Sequence, residues 1–149
     1  MEKLIRKFTD NKITVATCES CTGGLLSSAF VDVPGSSSVF LEGVVTYSNE
    51  AKVRLGVDRE TLGKYGAVSE EVALQMAKAV KMRAGADIGI STTGIAGPGG
   101  GTAEKPVGLV YTAIITDNDE KVYKLNLEGS RDEVRKSTVE FIKERLKEL

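Results

Sequence analysis

Apolar side chains recur along this chain at two spacings, and the switches between them mark alternating helices and strands. Leu4, Ile5 and Phe8 share one face of a helix predicted over residues 2–11. Ile13 to Cys18 is a short β-prone run, and Leu25, Leu26, Ala29, Phe30 and Val33 then return to helical spacing before Pro34 and Gly35 stop the segment. Phe40 to Tyr47 reads as a second strand. Ser48 opens a short helix to about Leu55, with Gly56 as its stop, and Asp58 caps another brief one. Ser69, followed by Glu70 and Glu71, starts a longer helix that turns Val72, Ala73, Met76, Ala77 and Val80 inward. Ile88 to Thr92 is a third strand, Gly94 to Pro106 a loop, and Val107 to Ile115 a strongly apolar strand. Asp117-Asn118-Asp119 turns that strand into Val122 to Leu127 as a hairpin. Ser130 and Glu133 form a capping box for a last helix whose Val134, Thr138, Phe141, Ile142, Leu146 and Leu149 share a face. Alternation followed by a hairpin predicts one α/β domain over residues 1–149. Its expected form is a three-layer α/β/α sandwich on a mixed, mainly parallel sheet, with an antiparallel hairpin at one side.

Composition narrows the function classes. The chain has 149 residues, 41% hydrophobic and 28% charged, which suits a folded domain with a core of its own. Twenty basic and 21 acidic residues leave a net charge of −1, so no long-range field draws it to nucleic acid or to a membrane. No apolar run is long enough to span a bilayer and no signal-peptide core opens the chain. Two cysteines without a disulfide framework fit a reducing cytoplasm, which is the expected location. Histidine is absent, which excludes a Ser-His-Asp or Cys-His triad and any His-ligated metal. A nucleophile in this chain therefore needs lysine, a carboxylate or tyrosine as its base.

In an open α/β sheet, ligands collect beyond the carboxyl ends of the strands, where three polar segments stand. Thr22-Gly23-Gly24 follows the first strand and opens a helix, so it is either a plain tight turn or an anion site built from free N–H groups. Thr93 to Gly101 holds five glycines in eight positions from Gly94 onward, and reads as a flexible lid or as a nest of N–H groups for an anion or oxyanion. Ser48 and Lys52 stand one helical turn apart at the same edge. A lysine partly removed from water has its pKa lowered and can accept a proton near neutral pH, so Lys52 leads the candidates for a base. Cys18 and Cys21 form a Cys-x-x-Cys pattern, which raises a thiol-redox alternative. Against it, Cys18 falls inside an apolar strand, and no further ligands cluster here to complete a zinc site.

Five linked segments together resemble the CinA carboxy-terminal domain family. They are Ala16 to Gly24, Gly43 to Lys52, Gly66 to Glu70, Thr93 to Gly100 and Glu104 to Gly108, in order and spread over nearly the whole chain. Cys18 departs from the family pattern, which makes the Cys-x-x-Cys incidental. The resemblance is to the stand-alone amidase form, without the CinA amino-terminal domain, and it implies a nicotinamide mononucleotide deamidase. Such an enzyme releases nicotinic acid mononucleotide and ammonia, with no cofactor and no metal. The resemblance also implies a serine–lysine pair, Ser20 and Lys52, with Tyr47, Thr93 and Arg131 at the other catalytic positions. Thr22, Gly23, Gly24, Ser48, Gly94, Gly97, Gly99 and Gly100 are expected to contact the substrate. Cys21 and Thr22 are rival nucleophiles, and a nucleotide-binding module without turnover is the other alternative. The expected partner is a small pyridine mononucleotide. Oligomeric state stays open, although a shallow site in a small chain points to a homodimer.

Overall fold

The computed structural model describes residues 1–149 and contains five strands and six α-helices. In chain order these are α1 (Glu2–Asp10), β1 (Val15–Glu19), α2 (Leu25–Val31), β2 (Phe40–Val45), α3 (Asn49–Leu55), α4 (Arg59–Tyr65), α5 (Glu70–Ala84), β3 (Ile88–Gly94), β4 (Leu109–Ile115), β5 (Glu120–Asn126) and α6 (Arg131–Lys147). The sheet runs β2-β1-β3-β4-β5, parallel on both sides of β1 and antiparallel from β3 onward. The mixed α/β sandwich expected from the periodicity is the fold observed.

Helices cover both faces. Leu4, Ile5 and Phe8 of α1, Leu26 and Phe30 of α2, and Val139, Ile142 and Leu146 of α6 pack with Val15, Ile88, Ile90 and Ile114 on one side. The other side holds Ala16 and Cys18 under Val72, Met76 and Val80 of α5, with Leu62 of α4. Every residue of β1 is buried, as a central strand sandwiched between helical layers requires. On the α5 side β3 presses close to the helix: a Cβ at Gly89 would sit 2.3 Å from the Ala77 carbonyl oxygen. Ser91 Oγ donates to the Ala73 carbonyl at 2.6 Å and fixes the same contact further along.

From β1 the chain crosses to β2 on one flank, then returns over β1 to β3 on the other. The order therefore reverses at β1, and the crevice beyond the carboxyl ends of β1 and β3 is a topological switch point.

Several boundaries differ from those expected. Lys12 takes a left-handed backbone and the Ile13 N–H bonds to the Phe8 carbonyl, so Ile13 finishes the α1 turn, the Thr14 N–H bonds to Asp87, and β1 begins at Val15. Residues Ser36–Ser38 form a single 3₁₀ turn that periodicity is too short to reveal. Val107 belongs to the loop, because Gly108 at φ +90° turns the chain before β4 starts at Leu109. Leu149 stands beyond the end of α6 and is 41% exposed rather than inward.

Glu19 ends β1 with no solvent exposure. Its Oε2 accepts from Thr22 Oγ1 (2.6 Å) and from the Gly24 and Leu26 N–H groups (3.0 and 3.1 Å). Its Oε1 accepts from the Ser27 N–H (2.8 Å) and Ser27 Oγ (2.6 Å). The carboxylate thus saturates the start of α2, whose N–H groups have no helical partner of their own. Removing it strands several buried donors at about 1–3 kcal/mol each. Glu19→Ala is expected to lose roughly 3 kcal/mol or more of stability in urea denaturation. A loss below about 1 kcal/mol would mean that the helix start finds other acceptors.

Candidate active site

Ser20 is the first residue after β1, and its N–H still extends the ladder by donating to the Thr92 carbonyl of β3 at 2.9 Å. Its side chain therefore emerges at the switch-point crevice, on a turn that Gly23 N–H closes onto the Ser20 carbonyl. Lys52 comes from the middle of α3. Ser48 caps that helix by accepting the Ala51 N–H at 3.1 Å, which fixes the direction in which Lys52 leaves the backbone. Lys52 is 1% exposed, donates from Nζ to the Thr46 carbonyl at 2.7 Å, and holds Nζ 3.1 Å from Ser20 Oγ. Burial lowers its pKa from the ordinary 10.5, against weaker opposition from the neighbouring thiols of Cys18 and Cys21. No carboxylate pairs with it. The arrangement gives a hydroxyl and a desolvated amine in contact, the pattern of an activated nucleophile.

A cleft of about 290 Å³ opens on this pair. Ser20, Cys21 and Lys52 form its floor, and Tyr47, Thr93, Gly94, Gly97, Gly99, Gly100 and Arg131 are among the residues of its walls. That volume suits a small molecule. Arg131 is a cation in its lining and no acidic side chain faces it, so its field favours an anion. Arg131 spans the mouth, donating from Nη1 to the Gly97 carbonyl (2.7 Å) and from Nη2 to Tyr47 Oη (3.0 Å). Both acceptors are neutral, which leaves the guanidinium charge uncompensated. The N–H groups of Ala96, Gly97, Gly99 and Gly100 have no backbone acceptor. Gly99 is also free of close neighbours and of a left-handed backbone, so nothing within the chain requires glycine there. A wider groove of about 810 Å³ lies between α1 and the end of α6. It contains no paired nucleophile and base, and size does not single out the cleft at Ser20.

The structure thus brings together Ser20, Lys52, Tyr47, Thr93, Arg131, Gly94, Gly97, Gly99 and Gly100. It separates the remaining four candidates from them. Thr22, Gly23, Gly24 and Ser48 do not line the cleft. Glu19 already occupies the anion position at the start of α2, so the Thr22–Gly24 turn has no Gly24, Leu26 or Ser27 N–H to offer a ligand. Ser48 is a helix cap on the surface. Tyr47 is 62% exposed and meets Arg131, which places its hydroxyl at the rim. Thr93 Oγ1 donates to the Ala67 carbonyl at 2.7 Å and anchors the opposite wall.

The rival nucleophiles and the redox pair lose their footing. Burial pushes the thiols of both Cys18 and Cys21 up to about 11. Cys18 packs under α5 and Cys21 in a separate cluster with Val134 of α6, on the other side of the sheet. Thr22 Oγ1 is fully buried and committed to Glu19 and Thr92.

Two site residues escaped the periodicity. One is Glu19. The other is Arg135, one turn after Arg131, which donates from Nε to the Cys21 carbonyl (3.1 Å) and from Nη2 to the Thr22 carbonyl (2.9 Å). The i,i+4 spacing of two arginines at the start of a helix was the available signal for the second.

Comparison with known proteins places the chain in a family. The model of the CinA C-terminal domain matches residues 1–149. A CinA-like protein of Kosmotoga olearia is 56% identical over 141 residues, covering 94% of this chain and 34% of that protein. The chain spans about a third of the length of the curated relatives it matches. Among solved structures, the competence/damage inducible protein CihA of Agrobacterium tumefaciens is 46% identical with a TM-score of 0.89, over 93% of this chain and 88% of that one. A CinA superfamily protein of Klebsiella pneumoniae reaches a TM-score of 0.95 at 34% identity, over 99% and 92% of the two chains.

The buried lysine makes stability depend on pH. Below 10.5 the unfolded chain protonates Lys52, whereas the folded chain does so only below its lowered value. In that window the unfolded state binds more protons, so stability falls as the pH drops and levels off below the folded value. Lys52→Met removes this effect. Its Tm relative to wild type is expected to rise as the pH is lowered from 10.5, and a difference that stays flat would contradict the burial of a neutral amine.

Proposed function

The chain belongs to the CinA C-terminal domain family, and from that membership together with the Lys52–Ser20 contact we propose that it is an amidohydrolase. Its proposed substrate is nicotinamide mononucleotide, which with water gives nicotinic acid mononucleotide and ammonia. The single observation that carries this reading is Lys52 Nζ at 3.1 Å from Ser20 Oγ, with the amine buried and its pKa lowered.

Ser20 Oγ attacks the carboxamide carbon while Lys52, neutral, takes the hydroxyl proton. The oxyanion that forms is stabilised by a backbone donor at the cleft floor, the Cys21 N–H, which has no backbone acceptor. As the tetrahedral centre collapses, Lys52 returns that proton to the amide nitrogen, the C–N bond breaks and ammonia leaves an acyl-Ser20 ester. Water then attacks the ester with Lys52 as base, and the proton goes back to Ser20 Oγ as the acid departs. The phosphate of the substrate is assigned to Arg131 and the unbonded N–H groups of the Gly97–Gly100 loop, because Glu19 has taken those at the start of α2. Tyr47, held by Arg131 at the rim, closes the open side of the substrate. Thr93 and the neighbouring Gly94 shape the wall facing Ser20.

Ammonia release from nicotinamide mononucleotide, run beside a panel of other amides and nucleotides, tests both the reaction and the substrate. Ser20→Ala and Lys52→Met are each expected to lower kcat by about 10²–10⁴-fold. Wild-type kcat should climb with pH through the lowered Lys52 value, with a midpoint below 10.5. Turnover near the wild-type rate in Ser20→Ala would falsify the assignment.

A further inference from the structure

The turn that carries Ser20 is closed by hydrogen bonds whose direction follows from their partners. Glu19 acts only as an acceptor in its five contacts, so Thr22 Oγ1 spends its proton on Glu19 Oε2, 2.6 Å away. Thr22 Oγ1 must then accept from Thr92 Oγ1 at 2.7 Å. Thr92 Oγ1, its own proton spent in turn, presents a lone pair to the Ser20 N–H at 3.4 Å, which bonds first to the Thr92 carbonyl at 2.9 Å. All four residues are buried, with Glu19, Thr22 and Thr92 at zero exposure.

The chain starts one residue before Ser20, passes through the residue two after it, and returns to Ser20 from the neighbouring strand. The other four bonds of Glu19 serve the start of α2. Only the bond to Thr22 ties the carboxylate to the far side of the Ser20 turn. Arg135 holds the carbonyls of Cys21 and Thr22 from outside, so donors of this turn go to Glu19 and acceptors to Arg135.

We propose that Glu19, acting through Thr22 and Thr92, is the positioning residue that holds Ser20 against Lys52. The proposal rests on the reading of Ser20 and Lys52 as nucleophile and base. Neither threonine lines the cleft. Their hydroxyls restrict the rotation of a turn whose Oγ must keep its place, and displacement of a reacting atom by about 1 Å can cost about 100-fold in rate.

Thr22 is the place to test it, since Thr22→Val removes the hydroxyl but leaves the four α2 bonds of Glu19 and the β1–β3 ladder. A serine-directed sulfonyl fluoride reads Ser20 directly: Oγ bonds to sulfur, fluoride leaves, and the hydroxyl proton passes to Lys52. Adduct formation is followed by intact mass in wild type, Ser20→Ala, Thr22→Val and Thr22→Ser, each with its urea midpoint and pH profile. Wild type should be modified and Ser20→Ala should not. Thr22→Val should react about tenfold or more slowly, with the pH midpoint unmoved and the folded state intact in the working range. Thr22→Ser, which keeps the hydroxyl, should recover to within about threefold of wild type. Equal labelling of Thr22→Val and wild type overturns the positioning role and leaves the Ser20–Lys52 pair standing. A moved pH midpoint with an unchanged plateau overturns it as well, because the hydroxyl would then act on the charge of Lys52. Failure of wild-type Ser20 to label at all overturns the underlying reading of the pair.

Discussion

A carboxylate buried without any exposure at the end of a central strand is the constraint around which this molecule is arranged. Taking such a group out of water is costly unless every lone pair finds a donor. Glu19 meets that condition with five donors, three of them backbone N–H groups at the start of α2. The helix is thereby fastened to β1, and the two residues between Glu19 and Thr22 are forced into a tight turn. Ser20 is the first of them. The turn that carries Ser20 and the attachment of the helix share one side chain.

The same trade of burial against chemistry recurs at Lys52, with the opposite outcome. Glu19 is surrounded by donors, whereas Lys52 has a carbonyl, a hydroxyl and two buried thiols for neighbours. Desolvation without a counter-ion disfavours the ammonium form and leaves an amine able to take a proton. One buried charge is compensated and structural. The other group lacks a counter-ion and is held toward its neutral form. Arg131, also without a counter-ion in the cleft, extends the contrast to the mouth, where an incoming anion would supply the missing charge.

Much of this was legible in the sequence because it rests on short-range rules. The periodicities of α5 and α6, the capping box at Ser130 and Glu133, and the turn at Asp117 to Asp119 all depend on neighbours a few residues apart. The lack of histidine pointed to lysine, and Lys52 stands beside Ser20. Glu19 was not legible as a structural acid, since its five bonds require α2 to fold back over β1. The Thr22–Gly24 turn read as either a plain turn or an anion site for the same reason: a sequence shows that a helix start has free N–H groups but not that the chain fills them itself. Arg135 was hidden by distance, its partners lying more than a hundred positions away. Leu149 followed the helical spacing of α6 on paper, but the helix ends before reaching it.

Arg131 and Arg135 leave α6 about 6 Å apart along its axis, one grasping the Gly97 loop and the other the Ser20 turn. Opposite banks of the cleft are therefore gripped by a single helix of 17 residues. Such a helix behaves like the beam of a caliper, with its two jaws set by the rise of the hydrogen-bonded helix. Widening that gap means loosening one of the two arginines, so the breadth of the cleft is gauged in part by Arg135, which does not line it.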